Sequence, residues 1–214
     1  MGEERKVGER NEYDRSSLME TDAGMDPMRL FLSLLDEAER TGQPDHNAMM
    51  LSTVGSMSIS CRVVLLRQAD ERGFVFYTNY NSRKAMDLER DPRAALTFFW
   101  PALERQVRIE GKAVKLPSEE SDAYFADRPR ASRIGAWSSD QSRTVEDRAA
   151  MEERFERWTK RFEGQEVPRP EHWGGILVRP VRMELWQGRA SRLHDRLAYE
   201  RFSDGSWQRM RLQP

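Results

Sequence analysis

The chain has 214 residues, enough to bury one sizeable core without disulfide or metal staples. Its 35 Lys+Arg against 36 Asp+Glu leave a formal net charge of -1, which excludes a global field that would recruit nucleic acid or an acidic membrane. One cysteine, Cys61, excludes a disulfide framework and a CxxC metal site, and three histidines do not make a structural zinc set.

The start, Met1-Gly2-Glu3-Glu4-Arg5-Lys6, is charged, and no apolar run approaches the roughly 18 residues of a membrane span, so a cytosolic protein is expected. Residues 1–25 are polar and aperiodic and read as a mobile arm, followed by a single domain over 26–214. Asp26-Pro27 opens a helix with an N-cap and an N1 proline; Leu30, Phe31, Leu34, Leu35 and Ala38 follow at helical spacing, and Gly42 stops it. Strands rich in β-branched and aromatic residues are predicted at 48–54, 60–68, 74–79, 93–100 and 105–116. Asp70-Glu71-Arg72-Gly73 reads as a hairpin turn, and 82–90 as a short helix. Two further helices are predicted over 118–127 and 145–162, with Ala149, Phe155, Trp158 and Phe162 on one face of the second. Strands return at 175–181, 183–187, 197–202 and 207–212, with Ser203-Asp204-Gly205 as a turn. Adjacent strands joined by short turns imply a mainly antiparallel β fold with peripheral helices, a closed or split barrel. Neither GxGxxG nor GxxxxGK[ST] occurs, so both nucleotide fingerprints are missing.

The stretch from Glu184 to Arg196 is the most informative. It places Arg192, His194 and Arg196 at alternate positions after Trp186, so an extended backbone would project all three from one face. Such a surface repels itself unless an anion or a π-system sits against it, or unless Asp195 pairs with one of the arginines. Arg62 and Arg67 flank Val-Val-Leu-Leu on a strand, on opposite faces unless a bulge intervenes. Ser82-Arg83-Lys84 at a helix start offers N–H groups and two cations, and Thr78 on the preceding strand could add a hydroxyl. Gln106 needs a partner if it faces inward, since an unsatisfied buried amide costs ~1–3 kcal/mol; alternation equally allows it to face outward. Tyr124 and Arg128 share a helix face, which Ser132 continues unless Pro129 breaks it.

Six blocks together, Arg62-Val63-Val64-Leu65-Leu66, Phe76-Tyr77-Thr78-Asn79, Ser82-Arg83-Lys84, Glu104-Arg105-Gln106-Val107, Arg128-Pro129-Arg130-Ala131-Ser132 and E-x-W-x5-R-L-H-D-R at 184–196, resemble the pyridoxine/pyridoxamine 5′-phosphate oxidase family from about Asp26 to Pro214. The resemblance implies an FMN-binding split barrel acting as a homodimer with flavin at the subunit interface. The implied reaction is oxidation of pyridoxamine or pyridoxine 5′-phosphate by O2 to pyridoxal 5′-phosphate, with release of H2O2. By the same match, the FMN contacts are Arg62, Val63, Val64, Leu65, Leu66, Arg67, Tyr77, Thr78, Arg83, Lys84, Gln106, Gln141, Ser142, Trp186 and Arg196. The substrate contacts are Arg67, Tyr124, Arg128, Ser132, Arg192 and His194, with Arg10 and Tyr13 on a segment that folds over the substrate. Arg192 and His194 are the implied catalytic residues, and no general base or metal is assigned. The chain departs from the family pattern in having Arg67 where a lysine is usual, Leu185 where an aromatic is usual, and a shorter turn at 55–58. The alternatives are a related oxidase of a phenazine-type aromatic, or a non-catalytic FMN- or pyridoxal phosphate-binding protein.

Overall fold

The structure is a computed structural model that describes residues 12–214. In chain order its elements are α1 (Glu20–Ala23), α2 (Pro27–Arg40), β1 (Ala48–Val54), β2 (Ile59–Leu65), β3 (Gln68–Asp70), β4 (Gly73–Asn79), α3 (Arg83–Arg90), β5 (Arg93–Trp100), β6 (Arg105–Lys115), α4 (Ser118–Ala126), α5 (Arg130–Ser138), α6 (Arg148–Arg161), β7 (Trp173–Gln187), β8 (Asp195–Arg201) and β9 (Trp207–Arg211). The strands run β2-β1-β5-β6-β7-β4-β3, with β8 paired to β7 and β9 to β8. The pairs β1–β2, β1–β5, β3–β4, β4–β7 and β8–β9 are all antiparallel. The expected antiparallel β class with added helices is what forms.

The described residues divide into two units, the larger being Asn47–Phe98 with Arg108–Arg182, and the smaller 12–46, Phe99–Val107 and Met183–Pro214. In the larger unit, alternation selects the core: Met49, Leu51 and Thr53 of β1 and Ala94, Leu96 and Phe98 of β5 are buried. Strand β4 is buried along almost its whole length, with Phe74 packed on Phe98 at 6.5 Å. The 60–68 strand expected from sequence breaks in two. After Leu66 N–H bonds Asn47 O (2.8 Å), Arg67 N–H bonds Val75 O (2.9 Å), so the chain leaves β1 and joins β4. Conversely, the two strands expected at 175–181 and 183–187 are one, β7, because Pro180 falls beyond the last registered β4 pair, Phe74 with Val178. A helix that local pattern does not announce, α5, follows Pro129, whose φ of -51° suits a helix start. Its Ile134 and Ala136 are buried in one cluster with Phe125, Phe162 and Trp173.

In the smaller unit Asp26 caps α2, accepting from Met28 N (2.9 Å) and Arg29 N (3.2 Å), and Phe31 packs on Trp100. Part of the expected mobile arm is tied down. Leu18 N–H donates to Asp195 Oδ2 (3.1 Å), Arg211 grips the Glu20 carboxylate (2.6 and 2.7 Å), and Arg209 reaches Gly24 O (2.8 Å). Asp195 of β8 and Arg209 and Arg211 of β9 supply these anchors from far along the chain, where local polarity does not reveal them.

Arg105 is the polar centre of the smaller unit. Only 5% exposed, it pairs with Glu37 (2.6 Å) and donates to Gln187 Oε1 (2.9 Å), while Gln187 Nε2 donates to Leu103 O (3.1 Å). Removing the guanidinium leaves the buried Gln187 oxygen unsatisfied and Glu37 without its partner. Arg105→Met should therefore cost about 3 kcal/mol, at the low end for a broken buried pair because Glu37 can turn to water. A lowered urea midpoint at unchanged m-value is the expected reading.

Candidate active site

In the larger unit β2 and the start of α3 build a cationic cluster. The register sets Arg62 opposite Leu51, on the half-buried face of β2 with Ser60 and Val64; Val63 and Leu65 point the other way and are exposed. Arg62 donates to Leu51 O (3.1 Å), Thr53 Oγ1 (2.8 Å) and Ser60 Oγ (2.7 Å), and lies 3.9 Å from the buried Asp87 carboxylate. Burial and the nearby Arg83 lower the Arg62 pKa, against the pull of Asp87. Lys84 donates to Thr78 Oγ1 (3.1 Å), Ser82 Oγ (3.3 Å) and Gln141 Oε1 (3.0 Å), all neutral oxygens. Burial first, then Arg62, pulls the Lys84 ammonium down to about 8. Arg62, Arg83 and Lys84 are neighbouring cations, only Arg62 of the three lies near the Asp87 carboxylate, and the lysine is desolvated and rests on neutral groups; such a cluster suits a phosphate.

A cavity of about 360 Å³ adjoins these residues, lined in part by Tyr77, Thr78, Gln141, Arg128, Ser132 and Trp173. Arg128 lies over the Trp173 ring at 4.4 Å. Its Nη1 is buried and has no hydrogen-bond partner among the described residues, and burial, reinforced by Arg67, lowers its pKa. A buried guanidinium N–H left without an acceptor is costly, and a phosphate oxygen would satisfy it. Tyr124 stacks on Tyr77 (3.7 Å, 7°), and Tyr77 in turn on Trp173 (5.5 Å, 13°). Burial, then Tyr124, raises the Tyr77 phenol to about 12, so it stays protonated. Pro129 does end α4, and Tyr124, Arg128 and Ser132 lie around the α4–α5 junction rather than along one helix. Ser142 is exposed, sits at φ +73°, and makes no side-chain bond among the described residues.

The smaller unit holds the C-terminal block. The extended reading of Arg192, His194 and Arg196 fails at its first member: Ser191 (φ +56°) and Arg192 (φ +61°) are both left-handed, and β8 begins only at Asp195. Asp195 pairs with neither Arg192 nor Arg196 but with Arg189 (3.2 Å) and Arg211 (2.8 Å). Arg196 binds the buried Glu184 (2.8 Å) and Gln213 O (2.9 Å). Arg192 has no ion-pair partner among the described residues. His194 lies 4.8 Å from Trp186 and 5.7 Å from Tyr13, and burial plus Arg192 lower its pKa. Half-buried, Gln106 lies on the β6 face opposite the buried Arg105 and Val107, and its side chain makes no hydrogen bond among the described residues. Arg10 lies outside the described residues.

Sequence reasoning passed over Asp87 and Trp173. Asp87 had a signal, a carboxylate on the buried Ala85–Leu88 side of α3. Trp173 had none, since the platform it makes for Arg128 depends on a partner 45 positions away.

Comparison with known proteins identifies the family. Residues 35–162 match the family model described as pyridoxamine 5′-phosphate oxidase, and 173–214 the pyridoxine 5′-phosphate oxidase C-terminal dimerisation region. A pyridoxine/pyridoxamine 5′-phosphate oxidase of Rubrobacter xylanophilus is 54% identical over 209 residues, 97% of this chain and 96% of that protein. The crystal structure of PhzG from Burkholderia lata 383, in complex with tetrahydrophenazine-1-carboxylic acid, superposes with a TM-score of 0.87 at 30% identity, covering 95% of this chain and 100% of that one. A pyridoxamine 5′-phosphate oxidase-related, FMN binding protein from Nostoc punctiforme shares the fold (TM-score 0.70, 17% identity, 89% of this chain and 100% of that one). With its model matched from residue 35 to 162 and a relative more than half identical along almost the whole length, the chain belongs to the pyridoxine/pyridoxamine 5′-phosphate oxidase family, a family of oxidoreductases with a split-barrel fold.

Proposed function

We propose that this chain uses FMN to oxidise pyridoxamine or pyridoxine 5′-phosphate with O2, giving pyridoxal 5′-phosphate and H2O2, and NH3 from the amine. The observation that carries the reading is the orphaned Arg128 Nη1, which supplies a second anion receptor in the unit that already holds the Arg62–Arg83–Lys84 cluster. One receptor suits the flavin phosphate and the other a phosphorylated substrate.

Bound FMN supplies the hydride acceptor at N5 and the route for electrons to O2. The chain's own residues bind and orient. Lys84, Arg62, Arg83 and Thr78 hold the flavin phosphate, with Gln141 steadying Lys84. Arg128, with Arg67, Tyr124 and Ser132, fixes the substrate phosphate, while Gln106, Trp186 and Arg196 are assigned to the flavin. Arg192, on a left-handed turn and without an ion-pair partner among the described residues, is assigned with His194 to the substrate ring. Orientation of this kind accounts for a large part of such a rate enhancement.

We assign the family's homodimer to this chain as well. The match to a dimerisation region over 173–214 supports it, as does the exposed apolar row Ile59, Val63 and Leu65 on β2 with Met50 opposite Val63. A cytosolic location is proposed with the family reading; no helix among the described residues is long and apolar enough to cross a membrane.

The PhzG likeness favours one rival, an oxidase of a reduced phenazine-type aromatic. The second phosphate receptor distinguishes them. A purified protein that shows flavin bands and releases peroxide from pyridoxamine 5′-phosphate supports the proposal. Bands with turnover of only the phenazine-type compound, or with none, would reject it.

Arg128→Ala should leave flavin binding intact and lower kcat/KM for the phosphorylated substrate by about 10²-fold, mainly through KM, as loss of charged hydrogen bonds predicts. Arg192→Ala should retain flavin and reduce turnover by ~10² or more. The Lys84 pKa of about 8 sets a pH dependence in the flavin-free protein. Its ammonium is present below that value and lost above it, so FMN affinity, read by quenching of flavin fluorescence, should fall as pH rises past about 8. Lys84→Gln should bind more weakly and lose that alkaline limb. Stability of the flavin-free protein should move the opposite way. A lysine pKa depressed below its ordinary value leaves the unfolded chain binding more protons, so this group adds stability as pH rises above about 8.

A further inference from the structure

We infer that the main-chain N–H of Arg189 fixes His194 as a neutral hydrogen-bond donor with its proton on Nε2, so that this ring binds substrate and relays no proton. Arg189 N–H donates to His194 Nδ1 at 3.1 Å. A peptide N–H keeps its proton at any working pH, so Nδ1 must present its lone pair and the ring proton must sit on Nε2. An imidazolium would turn two N–H groups toward each other and break the bond. The ring is also held in place, by Trp186 at 4.8 Å (47°) and by Tyr13 edge-on at 5.7 Å (69°).

The donor is itself anchored. Arg189 Nη1 holds Asp195 Oδ2 (3.2 Å), and the Asp195 carboxylate also takes Arg211 Nη1 (2.8 Å) and Leu18 N–H (3.1 Å). The charged and titratable groups around the ring are the Tyr13 phenol on the N-terminal segment, Arg189 and Arg192 on the turn, Asp195 at the start of β8, and the Arg196–Glu184 pair joining β8 to β7. Asp195 is neutralised by two arginines, and Glu184 by Arg196, so no free carboxylate among them stabilises an imidazolium. Burial and Arg192 act in the same direction on the ring. Nε2 makes no hydrogen bond among the described residues, which leaves it for an acceptor on the bound aromatic, an oxygen or anionic substituent. Only the identity of that acceptor rests on the oxidase reading; the tautomer does not.

The test is ¹⁵N-histidine NMR of the holoenzyme without substrate at neutral pH, with the His194 signals identified by their loss in His194→Gln. The expected pattern is a pyrrole-type Nε2 and a pyridine-type Nδ1, unchanged in Arg189→Ala, which keeps the peptide N–H. A protonated Nδ1, or an imidazolium, would overturn the inference. Kinetics add a second arm. The His194→Gln variant keeps an N–H donor and should retain at least about tenfold more kcat/KM than His194→Glu, which offers only acceptors. Equal activity, or a better Glu variant, would also overturn it. Peroxide release from the unmutated protein reads the oxidase assignment separately, so a silent enzyme with the expected tautomer counts against the function and not against the lock.

Discussion

Cations held in half-buried positions without enough carboxylates to neutralise them are the constraint on which the larger unit turns. Several arginines of this chain are matched closely: Arg72 by Asp70 and Glu120, Arg93 by Asp91, Arg169 by Asp122. At Lys84 and at the Arg128 Nη1 that matching stops. Desolvating a charge without a partner costs several kcal/mol, so the fold must hold these groups there by other means. It does so with neutral oxygens around Lys84 and an indole face beneath Arg128. An incoming phosphate then gains interactions that the protein alone does not provide, which is what binding requires.

The aromatic stack gives this arrangement its stiffness. Tyr124, Tyr77 and Trp173 lie within 13° of parallel across each neighbouring pair, and Phe125 meets Trp173 edge-on at 5.1 Å. These rings link the end of β4, the middle of α4 and the start of β7. The Arg128 guanidinium is thereby referred to three elements at once and does not swing with a single loop. Trp137, Trp158 and Phe162 extend the packing to α5 and α6, whose own surfaces are heavily charged.

Much of the fold was legible because it follows from short-range patterns. Alternation located β1 and β5 to the residue, and Asp26-Pro27 marked the start of α2. What was not legible depended on distant partners or on single dihedral angles. The chain's passage at Leu66–Arg67 needs both Asn47 and Val75, and the docking of residues 12–25 needs Arg209 and Arg211. The left-handed pair Ser191–Arg192 carries no glycine or asparagine to announce it. For the site, the family pattern brought out the charged positions and their neighbours, including Thr78, Lys84, Gln141 and Arg128, which geometry gathers around one cavity and its rim. It was silent on Asp87 and Trp173, whose importance appears only once the cations are seen to need company.

Gly188 lies directly beneath the Tyr13 ring, where a β-carbon would come within 2.7 Å of Cγ. Position 188 and position 13 are therefore rival tenants of one space. A lineage that swaps this glycine for anything bulkier must first trade the tyrosine for a smaller residue or surrender the aromatic roof over His194. The two sites, 175 residues apart along the chain (188 minus 13), are expected to drift together or not at all.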